Sequence, residues 1–259
     1  MAIKKFINSA TVDMTAFASW ITANKEGTVF EDFQFSDETI SSPHAGHQLN
    51  ITDGANVIKV RTLNNVSPSS TGTIYVLCTI QDTINMLQDG YQTRTSSGQY
   101  VRLSDVYLCK YGMIMKMQFP ECYNATWYTT SSCALMMTID DNNRLTVIAP
   151  APDPFAGSPN SSTHFTNAST MDVYGYRMKS IGQTGDPTVM SFKAASSQYG
   201  TILQNFAAFD NNGNGVYTPF AYYAVTTQYT PNDCKELGVV ELNDKRYITN
   251  GRWFIQDAD

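Results

Sequence analysis

Val239-Val240-Glu241-Leu242-Asn243-Asp244-Lys245-Arg246-Tyr247-Ile248-Thr249-Asn250-Gly251-Arg252-Trp253-Phe254-Ile255 reads as three short β-forming runs separated by the pairs Asn243-Asp244 and Asn250-Gly251. Asn, Asp and Gly tolerate the positive φ that tight hairpin turns demand, so the stretch predicts a β-meander. Alternation sets Tyr247 with Thr249 on one face of the middle strand. It sets Trp253 with Ile255 on one face of the last strand and Arg252 with Phe254 on the other. Both faces of that last strand carry a large apolar group. One face is expected on the chain's own core, and the other, with Phe254, under a helix, a loop or a neighbouring subunit. A cross-strand pairing of Trp253 with Tyr247 is expected to help fix the register.

Strand language continues upstream. Val57 to Leu63, Thr73 to Ile80, Tyr100 to Cys109, Met113 to Phe119, Ala134 to Ile139 and Arg144 to Ala149 are rich in Val, Ile, Tyr, Phe and Thr, and most are bounded by Gly, Asn, Asp, Ser or Pro. Val173 to Lys179, Thr188 to Lys193 and Val216 to Tyr229 read alike. Met113, Met115, Met117 and Phe119 fall on one face, with Lys116 and Gln118 opposite, which predicts a half-buried antiparallel strand. Asp140-Asp141-Asn142-Asn143 is expected to be the hairpin turn between two of these runs.

Three helices are expected beside the strands. Met14, Phe17, Ala18 and Ile21 stand at i, i+3, i+4 and i+7 behind Asp13 as a cap, with Gly27 just past the end. A shorter helix is read from Asp82 to Asp89, and a third from the spacing of Tyr199, Ile202, Leu203 and Phe206. Their apolar stripes belong on a sheet, although residues 1–27 could instead form a helical arm that docks on a neighbour. Two long stretches read as loops, Ser36 to Gly54 and the Pro-rich Pro150 to Asp172. The second is the best place for a domain boundary, and a sheet continued across it is equally consistent. The fold expected for residues 1–259 is therefore mainly β, a single antiparallel sandwich or barrel-like domain with two or three short helices and the carboxyl-terminal meander.

Composition narrows the function. The 259 residues are 42% hydrophobic and 12% aromatic, enough for a large core, but only 15% charged, while Ser, Thr and Asn fill about a quarter of the chain. The surface is thus polar without being strongly charged. A net charge of −6 leaves little to neutralise a phosphate backbone, so nucleic acid is not expected as a partner. No run approaches the roughly 18 apolar residues that cross a membrane, and Asn8, Ser9, Thr11 and Asp13 interrupt anything resembling a signal peptide. The five cysteines, Cys78, Cys109, Cys122, Cys133 and Cys234, include no CxxC pair and are expected as reduced thiols, mostly buried in strands.

Chemical constellations are weak. His44, His47 and His164 could supply three zinc ligands only if two loops met, and a spacing of three outside a helix does not aim two rings at one point. Asp210, Asn212, Asn214 and Gly215 match the first half of a calcium loop, but Ala221 stands where its bidentate Glu should be and the sequence after it reads as strand. Neither metal is expected, nor any cofactor. There is no nucleophile elbow, P-loop or dinucleotide fingerprint, and Glu31-Asp32, Asp37-Glu38 and Asp140-Asp141 are adjacent pairs that a strand would point apart. No enzyme is expected. What remains is aromatic density, with Tyr123, Trp127 and Tyr128 in one cluster and Tyr217, Phe220, Tyr222, Tyr223 and Tyr229 in another, suited to stacking on sugars or filling a protein interface. The interface candidates are Trp253, Phe254, Phe155, Phe165, Tyr222 and Tyr223.

The start Met1-Ala2-Ile3-Lys4-Lys5-Phe6, the weakly charged strands rich in Thr, Asn and Tyr, and the closing segment from Asn243 to Asp257 together resemble structural proteins of tailed-bacteriophage virions. The resemblance covers the style of the whole chain and that short tail, and brings no motif whose functional residues carry over. It implies a β-sandwich-like subunit assembled into a ring, tube or fibre, made in the host cytoplasm without a signal peptide and residing in the virion. On that reading the protein is a tail, neck or baseplate component whose partners are itself and other virion proteins. The alternative is an adhesion module that binds a carbohydrate, such as a host-surface glycan, or another receptor.

Overall fold

The computed structural model describes residues 2–7, 14–40, 45–64, 72–73, 75–80, 84–85, 94–95, 102–118, 132–150, 173–183, 188–193, 195–196, 200–209, 213–227, 237–251 and 253–258. Strand β1 (Lys4–Ile7) and helix α1 (Met14–Asn24) come first, followed by β2 (Gln34–Ile40), β3 (Ala45–Thr52), β4 (Val57–Asn64), β5 (Gly72–Thr73), β6 (Tyr75–Ile80), β7 (Ile84–Asn85) and β8 (Arg94–Thr95). The middle of the chain supplies β9 (Arg102–Cys109), β10 (Gly112–Gln118), β11 (Ser132–Ile139), β12 (Leu145–Pro150), β13 (Val173–Ser180) and β14 (Thr188–Lys193). The last third supplies β15 (Ala195–Ser196), β16 (Ile202–Phe209), β17 (Gly215–Thr227), β18 (Gly238–Leu242), β19 (Lys245–Thr249) and β20 (Trp253–Gln256).

A seven-stranded central sheet runs β1-β9-β10-β11-β12-β13-β14, a five-stranded amino-terminal sheet runs β2-β3-β4-β6-β7, and β5 pairs with β8. The carboxyl-terminal sheet has six strands, β15-β17-β20-β19-β18 with β16 on β17. Pairing is antiparallel apart from the two-residue parallel pair of β15 with β17, and no sheet closes on itself. Strands β12 and β13, on either side of the Pro-rich segment, are neighbours with Pro150 opposite Tyr176, so one sheet continues across residues 151–172.

The central sheet is buried on both faces. Val106, Leu108, Met113, Met115, Leu135, Met137, Leu145 and Val147 point to one side, where Phe17, Ala18 and Ile21 of α1 join Phe30 and Leu49, Ile51 and Ile58 of the amino-terminal sheet. Cys109, Ile114, Met136, Ile148, Tyr176 and Met178 point to the other, against Phe206, Ala208, Val216, Ala221, Tyr223, Ile248, Trp253 and Ile255 of the carboxyl-terminal sheet. At Met113–Met115 the strand is therefore covered on both faces rather than half-buried as expected, while the side chains of Lys116, Met117 and Gln118, and all of Phe119, lie outside the described residues. Ile114, on the face of Lys116 and Gln118, is as fully enclosed as the methionines, and a strand covered on both sides has no solvated face.

Three further expectations change. Ser36 to Gly54 is not a loop: Gln34–Ile40 and Ala45–Thr52 pair antiparallel with Gln34 opposite Thr52 and Ile40 opposite Gly46. The strand carrying Leu49 and Ile51 buries both, an alternation masked in sequence by Ser36, Asp37, Glu38, Gln48 and Asn50. Ile202, Leu203 and Phe206 of the third expected helix lie instead in strand β16, paired with β17, and Tyr199 lies outside the described residues. Gly200 at φ 121° lies outside helical space, and the strand buries Phe206 and Ala208 on alternate positions. In the second expected helix, Ile84 and Asn85 are strand, opposite Ile80 and Thr79, and the remainder of Asp82 to Asp89 lies outside the described residues. That leaves α1 as the one helix among the described residues, ending before Gly27 at φ 72°. Its cap Asp13 is outside them.

Helix α1 lies against its own chain. Phe17 and Ile21 are fully enclosed, the Phe6 ring of β1 meets Phe17 and Trp20 at 5.4 Å each, and Lys4 Nζ donates to Asn24 O at 2.9 Å. That ammonium at the helix carboxyl end meets its otherwise unpaired carbonyls and its dipole together.

Candidate functional site

The carboxyl-terminal sheet has an inner face on the central sheet and an outer face turned away from it, and the outer face is the candidate site. The meander builds half of it. Leu242 is opposite Lys245, and Asn243 and Asp244 take φ 50° and 61°, the positive pair a two-residue hairpin needs. Gly251 has φ 89°, Asn250 Oδ1 accepts from the Trp253 amide at 2.8 Å, and Thr249 Oγ1 donates to Trp253 O at 2.7 Å. Tyr247 stands opposite Gln256, Ile248 opposite Ile255 and Thr249 opposite Phe254. The register thus puts Trp253 and Tyr247 on opposite faces, and the expected pairing between them does not form. Trp253 pairs instead with Tyr223 and meets the Phe206 ring edge-on at 5.5 Å. Tyr247 meets Phe254 edge-on at 6.2 Å.

Strands β16 and β17 build the other half. Ala207 is opposite Tyr217 and Asn205 opposite Tyr222, so β17 spends extra residues there. This is where Pro219, which has no N–H for a ladder, is accommodated. Asn205 Nδ2 donates to Thr218 O at 2.6 Å, and Thr218 Oγ1 donates to Ala221 O at 2.9 Å, meeting carbonyls the ladder leaves over. The extra residues reset the alternation: Tyr222 and Ala224 lie on the outer face while Val216, Ala221 and Tyr223 point inward, and Tyr217 alternates outward from Val216.

Along the outer face run Tyr222, Ala224, Tyr247 and Phe254, with Leu203, Val240 and Leu242 packed around them. Tyr222 meets Tyr247 edge-on at 5.9 Å and donates from its hydroxyl to Pro219 O at 2.8 Å. Burial pushes the Tyr222 phenol up against the hydrogen bond from Asn205. Burial and then the neighbouring Tyr222 push up that of Tyr247. Both rings stay neutral wherever an unperturbed tyrosine would.

At the β16–β17 tip, Phe209 is opposite Gly215, and its Cε1 and Cδ1 lie 3.4 and 3.7 Å from where a Gly215 Cβ would stand. Tyr217 is the diagonal neighbour of Phe209 on the same face. Its backbone is clamped by the β11–β12 turn: the Asp141 amide donates to Tyr217 O at 2.9 Å, and Asp141 Oδ1 accepts from the Tyr217 amide at 3.3 Å. That turn is itself fixed. Enclosed Asp140 accepts from the Asn142 and Arg144 amides and the Arg144 guanidinium, all at 2.9 Å.

Of the interface candidates, Phe254 and Tyr222 come together on the outer face, whereas Trp253 and Tyr223 lie on the inner one. Trp253, Phe254 and Tyr223 are 7, 1 and 7% exposed, so the chain's own packing already covers them. Phe155 and Phe165 lie outside the described residues, as do Tyr123, Trp127 and Tyr128. The large apolar side chains that do face solvent among the described residues are Ile202 at 59%, Phe209 at 55%, Tyr217 at 49% and Val239 at 41%, all on the carboxyl-terminal sheet. Phe209 was missed because its strand read as a helix. The signal was the turn-forming run of Asp, Asn and Gly from Asp210 to Gly215, flanked by Phe209 and Tyr217.

His47 is in β3 opposite Thr39 and Thr62 rather than in a loop. His44, His164, Asp210 and Asn212 lie outside the described residues, and Ala221 sits in β17 opposite Ile255. No three His, Cys, Asp or Glu among the described residues gather closely enough to hold a metal ion. The Cys109 thiol is buried and free, pushed up to about 12 chiefly by that burial, which leaves it a poor nucleophile. Among the described residues no helix is long and apolar enough to cross a membrane. No family model, curated protein or solved structure matches the chain.

Proposed function

We propose that the protein is a structural component of a bacteriophage virion, in the tail, neck or baseplate, acting through protein–protein assembly with itself and other virion proteins. The observation that carries this reading is that the large apolar side chains facing solvent among the described residues, Ile202, Phe209, Tyr217 and Val239, all belong to one sheet, since apolar surface left in water marks interaction sites. The stacking of the carboxyl-terminal sheet on the central one adds support, because a sandwich-like body buried through several layers is a stiff unit to repeat. The resemblance in sequence style supplies the virion. Sedimentation of wild type and of an Ile202→Ser, Val239→Ser double variant tests it. A homo-oligomer, or a firm complex with another particle protein, is expected for wild type and a lighter species for the variant. A lone monomer at high concentration with no partner in the particle refutes it.

A second reading, an adhesion module for a carbohydrate or other receptor, is favoured by the β16–β17 tip. There two half-exposed rings stand on strands bounded by the exposed turn residues Asn142, Asn143 and Asn214 and by Asp141, which is bonded to the Tyr217 backbone.

A further inference from the structure

We infer that the paired ends of β16 and β17 at Phe209 and Tyr217 form a saccharide-binding subsite, in which the two rings stack on the apolar face of a sugar ring and the adjoining β11–β12 turn contacts its hydroxyls. The inference rests on the adhesion reading and names its ligand class. Its first support is geometry. Phe209 and Tyr217 are diagonal neighbours on one face across a two-strand register, and the Phe209 ring lies beside Gly215, 3.4 and 3.7 Å from where its Cβ would stand. Both rings remain half-exposed.

Rigidity is the second support. The Tyr217 backbone stands in register with Ala207 of β16 and is held by both bonds to Asp141, in a turn locked by the Asp140–Arg144 pair. A ring presented on a fixed backbone loses little conformational freedom when a ligand stacks on it. Tyr also combines a stacking face with a polar end.

Size and charge select the occupant. A stable protein contact takes about 800 Å² from each partner, far more than two half-exposed rings offer, and Ile202 lies about 23 Å away along β16. A two-fold contact centred on the tip would set one Asp141 carboxylate against another. A cationic peptide would want acceptors alone, whereas the exposed residues described beside the Asp141 carboxylate include the amides of Asn142, Asn143 and Asn214. Asp141 Oδ1 already accepts from the Tyr217 amide and, at 3.3 Å, from Asn142 Nδ2. Amides both donate and accept, which matches hydroxyl groups.

The test applies the full-length protein to a printed array of bacterial, plant and animal glycans, then titrates the best glycan calorimetrically into variants. Pentalysine serves as the cationic-peptide probe, and mass is measured throughout. Tyr217→Ala and Phe209→Ala should each weaken glycan binding at least tenfold with the melting temperature little changed. Tyr217→Phe, which keeps the ring, should stay within about threefold of wild type, and Ile202→Ser should bind as wild type does. Absence of any glycan binding, or binding indifferent to Tyr217→Ala, overturns the inference. Pentalysine binding that Tyr217→Ala abolishes, without glycan binding, also overturns it while leaving the tip a receptor surface. Loss of oligomer mass in Tyr217→Ala, with neither ligand bound, removes the adhesion reading altogether.

Discussion

Gly112→Ala is the sharpest probe of how tightly β10 is enclosed, by β11 beside it and by the facing sheet. Gly112 opens β10 opposite Thr138 of β11 and Cys109 of β9. Its φ is not positive, so alanine suits the backbone and, were there space, would stabilise by about 0.4–1 kcal/mol through the unfolded chain. There is no space. A Cβ would stand 2.5 Å from Met137 O, and 3.0 and 3.2 Å from Cδ1 and Cγ2 of Ile255 on the facing sheet. Real Cβ atoms essentially never come within 3.0 Å of another heavy atom, so the β11 carbonyl must retreat by at least 0.5 Å (3.0 less 2.5). It would do so in the middle of a ladder packed on both faces. Overpacking of this kind costs about 1–3 kcal/mol, leaving a net loss of about 1–2 kcal/mol and a fall in melting temperature of roughly 2–8 °C. Gly238→Ala is the control, since nothing lies within 4 Å of its Cβ position and filling a strand glycine should gain about 0.5–1 kcal/mol. Calorimetric melting and urea unfolding of both variants give the comparison. Adding Ile255→Val, which removes Cδ1, should recover little, because the Met137 carbonyl is the closer obstacle. If Gly112→Ala is as stable as Gly238→Ala, the close approach of the Met137 carbonyl to Gly112 is wrong.

Trp253→Ala and Phe254→Ala should each cost about 3–5 kcal/mol in urea unfolding, since both rings are enclosed within one chain; a Phe254→Ala variant of unchanged stability and reduced oligomer mass would return Phe254 to an intersubunit contact. Arg246→Ala should cost roughly 2–3 kcal/mol, because Arg246 Nε and a second guanidinium nitrogen both meet Asp257 Oδ2, Asp257 is fully enclosed, and its Oδ1 has no hydrogen-bond partner; removing Asp257 as well, as Asn, should restore part of the loss. Burial raises the Tyr176 phenol to about 12 from 10.0, outweighing the bond it donates to the Ala207 carbonyl. Its contribution to stability is therefore whole below pH 10 and lost as pH climbs from 10 to 12, so chemical denaturation across that window should show a shallower decline in Tyr176→Phe than in wild type.

The sequence by itself determined what depends on neighbours along the chain. Asn243-Asp244 and Asn250-Gly251 made the meander legible because tight turns select residues by their own φ. Asp140 to Asn143 was legible for the same reason, and Met14 to Ile21 carried its helical stripe openly. Tertiary structure decided whatever depended on partners. The Tyr199 to Phe206 spacing fits a helix locally, yet β17 offers a ladder and an aromatic core that a helix there would forfeit. Ile114 among the methionines gave no sign that both faces of β10 would be covered, because a second layer is a property of distant segments. The candidate site divides along the same line. The aromatic density of β17 was plain in the sequence. Which rings stand outward was set by the extra residues around Pro219, which shift the alternation between Tyr217 and Tyr222. A side-chain period of two reverses its faces at each such insertion, so exposure of Phe209 and Tyr217, and burial of Trp253 and Phe254, waited on the register.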